Sequence, residues 1–248
     1  MLHKFRQAGL LWPTLLALAA LGVLLALGTW QLQRKAWKEA LLAKIAERAA
    51  AEPVPLARAE ALAARGEDID YLHATARGRF RHDLERYLYA PTATRLGWHV
   101  YTPLEVAPGR YLWVNRGFVL DARKAPATRA AGQVGGETEV RGLLREPVRP
   151  GLFTPANDVL GNLWYWPEIA ALGASAGAEV AAGSLPLTLD ADALPAPPGG
   201  LPRGGVTRVA LPNRHLEYAL TWYGIALTLV GVYSAFALNR LTRAQPAP

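Results

Sequence analysis

The sequence predicts a membrane protein of the α+β class, with two transmembrane helices flanking one mainly antiparallel β domain outside the bilayer. Two observations carry this expectation. The chain runs from Gln7 to Gln33, and again from Tyr218 to Asn239, without one charged residue. Each run exceeds the roughly 20 residues that a helix needs to cross about 30 Å of hydrocarbon. Between them, several short segments alternate with a period of two and are bounded by turn residues, as half-buried strands do. The boundaries that follow are a cytoplasmic N-terminus at 1–9 and a span at 10–30. An extracytoplasmic domain covers 31–213, beginning with a helix and mainly β after residue 70. A second span covers 214–238, and 239–248 is a cytoplasmic C-terminus.

The elements can be justified in chain order. His3-Lys4-Phe5-Arg6 and the small residues Ala26 and Gly28 mimic a cleavable leader, but the apolar stretch from Leu10 to Leu27 is longer than the usual ~7–15-residue core of one. A retained anchor is expected, bracketed by Trp12 and Trp30 as by an interfacial belt. Helical periodicity continues through Leu32, Trp37, Leu41, Ile45 and Ala49, interleaved with Arg34, Lys38, Lys44 and Arg48. One long helix should therefore leave the bilayer, stop before Pro53 and Pro55, and offer its stripe to the soluble domain. Strands are expected at Tyr71–Phe80, Glu85–Tyr89, Gly97–Thr102, Tyr111–Val119, Glu137–Arg145 and Val206–Leu211, forming an antiparallel sheet or small barrel. Pro167–Leu172 reads as a short helix. Ala181–Gly205, rich in Pro, Gly and Ala, reads as a loop or extended excursion with little packing of its own. Arg240 and Arg243 after the second span favour a cytoplasmic C-terminus, and two spans return the N-terminus to the same side.

Composition removes several function classes. The net charge of +7 is scattered, with no run of five basic residues, so the expected partner is a lipid bilayer and not nucleic acid. The absence of cysteine excludes disulfides, Cys-ligated zinc, iron–sulfur clusters and thiol-based copper carriage. Arginine outnumbers lysine and alanine is abundant, which hints at a GC-rich bacterial genome. No phosphate loop or dinucleotide fingerprint occurs. Gly173-Ala-Ser175-Ala-Gly177 matches the nucleophile-elbow pattern, but such an elbow needs a strand before it and a helix after it. Here a helix should precede it, in an Ala/Gly-rich stretch where chance matches arise. No catalytic residue is assigned, and the chain is not expected to be an enzyme.

Of the histidines, His73, His82 and His99 fall on or near strands without ligand spacing and read as structural. Asn115-Arg116-Gly117 reads as a turn or bulge in which glycine supplies an unusual backbone angle; no acid or base lies beside it in sequence. His215 is the sharpest candidate for chemistry. It lies one turn before the uncharged core of the second span, behind Asn213, a plausible N-cap. On a helix His215, Tyr218, Trp222 and Ile225 share a face. An imidazole at the membrane edge above aromatic rings suits an axial haem ligand. It equally suits an interfacial histidine solvated by headgroups, with Tyr218 and Trp222 as belt aromatics. Arg34, Lys38 and Arg214 should lie at the same bilayer face, either pairing with haem propionates or snorkelling toward headgroups.

Six segments together resemble the Surfeit locus protein 1 family of cytochrome c oxidase assembly factors. They are Leu27-Gly-Thr-Trp-Gln-Leu-Gln-Arg34, Arg77-Gly-Arg-Phe80, Gly97-Trp-His-Val-Tyr-Thr-Pro-Leu104, Val114-Asn-Arg-Gly-Phe118, Asn162-Leu-Trp-Tyr-Trp166 and Asn213-Arg-His-Leu-Glu-Tyr-Ala-Leu-Thr-Trp-Tyr-Gly224. Trp166-Pro-Glu departs from the family pattern, in which a polar residue follows the aromatic run. The resemblance implies a multi-pass inner-membrane protein, bacterial or mitochondrial, with both termini on the cytoplasmic or matrix side; in the bacterial inner membrane this puts the central domain on the periplasmic side. It implies transient binding of haem a, with His215 matching the family's membrane-edge histidine and ligating the iron, and Tyr218, Trp222, Arg214 and Arg34 as further cofactor contacts. The implied partners are the oxidase catalytic subunit, which receives the haem, and haem A synthase. The alternative is a scaffold that binds no haem and stabilises an assembly intermediate.

Overall fold

The computed structural model describes residues 9–92, 95–147, 149–206 and 213–243. Contacts divide the chain into two compact units: the terminal segments through Lys44 and from Ala210, and the stretch Ile45–Val209. In chain order the elements are α1 (Leu11–Ala50), β1 (Val54–Pro55), α2 (Leu56–Ala64), β2 (His73–Phe80), β3 (Arg86–Tyr89), β4 (Gly97–Ala107), β5 (Arg110–Leu120) and β6 (Glu137–Arg145). They continue as β7 (Leu163–Trp164), α3 (Ile169–Ala176), α4 (Ala178–Gly183), β8 (Ser184–Ala191) and α5 (His215–Arg243).

The terminal unit is a helical hairpin. Both α1 and α5 are long and apolar enough to cross a membrane, and their apolar stretches are largely unburied. At ~1.5 Å per residue α1 is about 60 Å long, twice a hydrocarbon core. The expected continuation of the first span into a polar helix is therefore seen, and it stops before Pro53. Its last turns belong to the second unit, where Ile45 is buried and Arg48 bonds the Asp68 carbonyl at 2.8 Å and the carbonyl of Asp70.

The central unit is a closed barrel. Strand order is β1-β2-β6-β8-β5-β4-β3-β7, with a further pairing of β2 to β4. The ring β2-β6-β8-β5-β4 closes through Arg79↔Glu105 and Phe80↔Leu104. Pairings are mainly antiparallel; β1–β2, β3–β7 and β5–β8 are parallel. One side-chain parity of the ring strands forms a core with Ala76, Leu104, Leu112, Val114, Leu144 and Leu189, joined by Leu56 and Ala59 of α2. The opposite face of β5 carries Tyr111 and Trp113 against Trp164 of β7 and Leu172 and Val180 of the α3–α4 layer. Being covered on both faces, β5 is buried nearly throughout, which explains its run of large apolar residues.

Two expectations are corrected here. Ala181–Gly205 is not a loop throughout: its first part completes α4 and forms β8, the strand that joins β5 to β6. Leu185, Leu187 and Leu189 do alternate, but Pro186 interrupts the pattern. It is exposed where the β5–β8 register shifts, a ladder irregularity that tolerates the missing N–H. The short helix expected at Pro167–Leu172 begins at Ile169 and continues to Ala176, and α2 had no counterpart in the sequence reading. The strand expected at Val206–Leu211 falls mostly outside the described residues.

Asn115-Arg116-Gly117 does form a bulge. His99 pairs with Phe118 and Tyr101 with Asn115, so two residues of β5 oppose one of β4. Gly117 has φ of 119°, and a Cβ there would collide with the carbonyl of Arg203, whose backbone pairs with Phe118. The expectation that no acid or base lies beside the motif fails in three dimensions. Arg116 reaches Glu85 Oε1 at 3.2 Å and His82 Nδ1 at 3.2 Å. Arg129 grips both Glu85 oxygens at 3.1 and 2.5 Å, and Gln133 and Tyr87 donate to the same carboxylate. Asn115 meanwhile donates to Asp190 of β8 at 2.9 Å. The two strand-borne histidines also have local partners: His73 sits between the Ala51 carbonyl and Asp192, both at 2.8 Å, and His99 lies edge-on to Phe118.

Burial alone would raise the Glu85 carboxyl, but the His82 ring at 3.8 Å and the bonds from Arg129 and Gln133 outweigh it and lower its pKa from 4.5 to about 2. Burial lowers Arg116 to about 10, with Arg129 adding to the effect and Glu85 opposing it. A carboxylate whose folded pKa is depressed gives stability that is complete above its unfolded value and lost as pH falls through the folded one. Urea unfolding followed by tryptophan fluorescence should therefore show stability falling as pH drops from 4.5 toward 2, and Glu85→Gln should flatten that slope. Glu85→Ala, which strands two buried guanidinium groups, should cost about 3–5 kcal/mol at neutral pH.

Candidate functional site

The candidate site lies on the helical hairpin. His215 opens α5, and its Nδ1 donates to Gln31 Oε1 of α1 at 2.7 Å. That bond fixes the imidazole in the tautomer whose Nε2 keeps a lone pair, the arrangement in which a neutral histidine ligates a metal. The site histidine was legible in the sequence; its orienting partner was not singled out. The signal for Gln31 was present, since an amide within an uncharged apolar helix needs a partner.

The remaining candidates are arranged unequally. Tyr218 is 53% exposed and Trp222 is half-buried, three and seven residues along α5 from His215, so an aromatic face does continue below the imidazole. Arg214 is already engaged, donating to Glu217 at 2.9 Å in an exposed pair. The Arg34 guanidinium lies 4.5 Å over the ring of Trp37. A second anion could draw on either cation, but Arg34 would give up only a stacking contact, whereas Arg214 would exchange one carboxylate for another. Asn213 is corrected as a cap: its Oδ1 is buried with no hydrogen-bond partner among the described residues.

Further polar contacts hold the two helices together. Thr29 Oγ1 and Tyr223 Oη are 3.2 Å apart, and Thr14 meets Tyr233. Gly28 permits the approach of Tyr223, whose ring would lie 2.8 Å from a Cβ at that position. Small residues and hydroxyls at a helix crossing are what apolar surroundings favour, because lipid supplies no hydrophobic drive between helices.

Ser175, the serine of the elbow pattern, lies in α3. It accepts a bond from Arg86 Nε at 2.8 Å and donates to the Leu172 carbonyl. Among the described residues neither the strand–turn–helix setting nor a histidine partner accompanies it, and its hydroxyl ties α3 to β3. Among the described residues no group of three or more His, Asp or Glu is placed to hold a metal ion by itself.

The model of the SURF1 family matches residues 18–227, from within α1 to within α5. The chain belongs to the SURF1 family. A SURF1-like protein of Monosiga brevicollis is 37% identical over 237 residues, covering 90% of this chain and 86% of that protein. Surfeit locus protein 1 of Mus musculus is 37% identical over 215 residues, covering 80% and 67% of the two chains. The human protein of the same name is 36% identical over 217 residues, covering 81% and 69%. The matched span of the family model includes Gln31, Arg34, Arg214, His215, Tyr218 and Trp222, so the candidate site lies inside the part of the chain that defines the SURF1 family.

The helix crossing carries a direct test. Gly28→Val should push Tyr223 away and destabilise the detergent-solubilised protein by about 1–3 kcal/mol, read as a lowered melting temperature. Gly22→Val, at a position with nothing within 4 Å, should leave the melting temperature nearly unchanged.

Proposed function

We propose that the chain is an assembly factor for a haem–copper cytochrome c oxidase, which holds haem a at His215 and helps it enter the catalytic subunit. Family membership supports the oxidase role, and the His215–Gln31 bond supports the haem role. The residues present fit such a group: His215 would hold the iron through Nε2, Tyr218 and Trp222 would offer an aromatic face, and Arg34 with Arg214 would supply cations for propionates. Haem a supplies a redox-active iron to the oxidase that receives it. The work of this chain would be to bind it, orient it and release it, the last favoured by a single ligand at an exposed helix end. The partners proposed are the catalytic subunit and haem A synthase, with both termini in the bacterial cytoplasm and the barrel on the periplasmic side.

A visible spectrum of the protein co-produced with haem A synthase tests this reading. A Soret band and haem a in a pyridine extract are expected. His215→Ala should lose most of the band with normal membrane insertion, and Gln31→Leu should weaken binding by about 10–100-fold, the range seen when a ligand's orienting partner is removed. Arg214→Ala should cost less, since water can satisfy an exposed propionate. Full haem occupancy in His215→Ala would dismiss the ligand; no haem in the wild-type protein would favour the scaffold. Topology is checked separately: alkaline phosphatase fused after Gly199 should be active, and fused after Arg243 it should not.

A further inference from the structure

The segment between β6 and β7 holds large apolar side chains in solvent. Leu152 and Phe153 are each 92% exposed and Leu160 is 100% exposed. These are not loose ends of a polar loop, because both turns that carry them are locked by local hydrogen bonds. Gly151 N donates to Thr154 Oγ1 at 2.9 Å, and Thr154 N returns to the Gly151 carbonyl at 3.0 Å. In the second turn Gly161 N donates to Asp158 Oδ1 at 2.9 Å, and the Asp158 and Leu163 backbones exchange bonds of 2.9 and 3.0 Å. The base is fixed too, since Asn157 Oδ1 accepts from Tyr165 N at 2.9 Å. Two preformed turns thus present leucine and phenylalanine tips with little ordering left to do on binding.

Charge and covalent connection identify the occupant. From residue 149 to residue 157 the only charged side chain is the exposed Arg149; Glu146 precedes the segment, and Asp158, which follows it, is turned onto Gly161. Both ends of the barrel's chain continue into helices long enough to cross a bilayer, so a lipid surface is at high effective concentration at all times. A lipid interface asks for no shape complementarity, only apolar tips beside a cation for anionic headgroups.

We propose that the 149–162 loop inserts Leu152, Phe153 and Leu160 into the surface of the bilayer crossed by the terminal helices, with Arg149 on anionic headgroups. The proposal rests on those helices spanning a membrane and is independent of haem binding. The absence of cysteine makes the test direct. Full-length F153C and L160C would carry a single nitrobenzoxadiazole label in vesicles of phosphatidylcholine and phosphatidylglycerol, with and without nitroxide-bearing lipid. L227C, 75% exposed on α5, reports the span, and R65C, an exposed site on the barrel domain, reports water.

The labels at 153 and 160 should emit at shorter wavelength than R65C and lose most of their emission to the nitroxide lipid, as L227C does. R65C should be quenched by aqueous iodide instead. Arg149→Glu should abolish the extra quenching that phosphatidylglycerol confers. If 153 and 160 behave like R65C while L227C is quenched, the loop stays in water and the proposal fails. A blue shift without lipid quenching would mean a protein surface covers the tips, which also overturns it. An unquenched L227C would remove the membrane on which the proposal stands.

Discussion

Glu85 sits just before β3 with one carboxylate facing two buried guanidinium groups, and three other parts of the barrel domain converge on that carboxylate. Arg116 comes from the β5 bulge, Arg129 and Gln133 from the turn segment before β6, and His82 from the turn after β2. The Glu85 carbonyl also receives Asn162, which orients the buried Trp164 through its side-chain oxygen. Burying charge without partners costs several kcal/mol, so each of these segments is held to a narrow geometry. The bulge is therefore as much a consequence of the carboxylate as of Gly117. An in-register β5 would turn Arg116 to the other face, away from its acid.

The same bulge links the network to barrel closure. Asn115 bonds Asp190 of β8 and, through Oδ1, the N–H of Gly117, while Phe118 pairs with Arg203 beyond β8. Asn115, Arg116 and Phe118 thus join β5 to β8, to the acid cluster and to the returning chain. Such multiple use explains why a short polar motif can be essential to a fold without touching a ligand.

The hairpin follows a different logic. Its helices expose most of their apolar surface, and what joins them is a small set of polar or close contacts: Thr14 with Tyr233, Gly28 and Thr29 with Tyr223, and Gln31 with His215. In hydrocarbon an unpaired amide or hydroxyl has no water to turn to, so these pairs select one register of α1 against α5. The His215–Gln31 bond is the last of the series toward the start of α5. A bond that aligns two helices at the same time orients an imidazole, and helix register and ligand geometry become one constraint.

Much of this could be read from residues alone. Length and absence of charge determined two helices long and apolar enough to cross a bilayer, because such a crossing leaves a helix few other compositions. Alternation marked the strands at residues 73–80, 86–89 and 137–145, since a half-buried strand must repeat every second residue, and β-branched or aromatic runs between turn residues marked those at 97–107 and 110–120. His215 stood out because a polar ring at a membrane edge demands a reason. The tertiary structure decided what depends on partners distant in sequence. β8 was hidden by Pro186 and its Ala/Gly-rich surroundings, and only pairing with β5 and β6 makes it a strand. Arg116 had no acid near it until folding brought Glu85 within 3.2 Å across 31 positions, and His215 had no orienting group until α1 supplied Gln31 across 184. Local pattern records which surfaces must be buried; it carries no record of which distant side chain will meet them there.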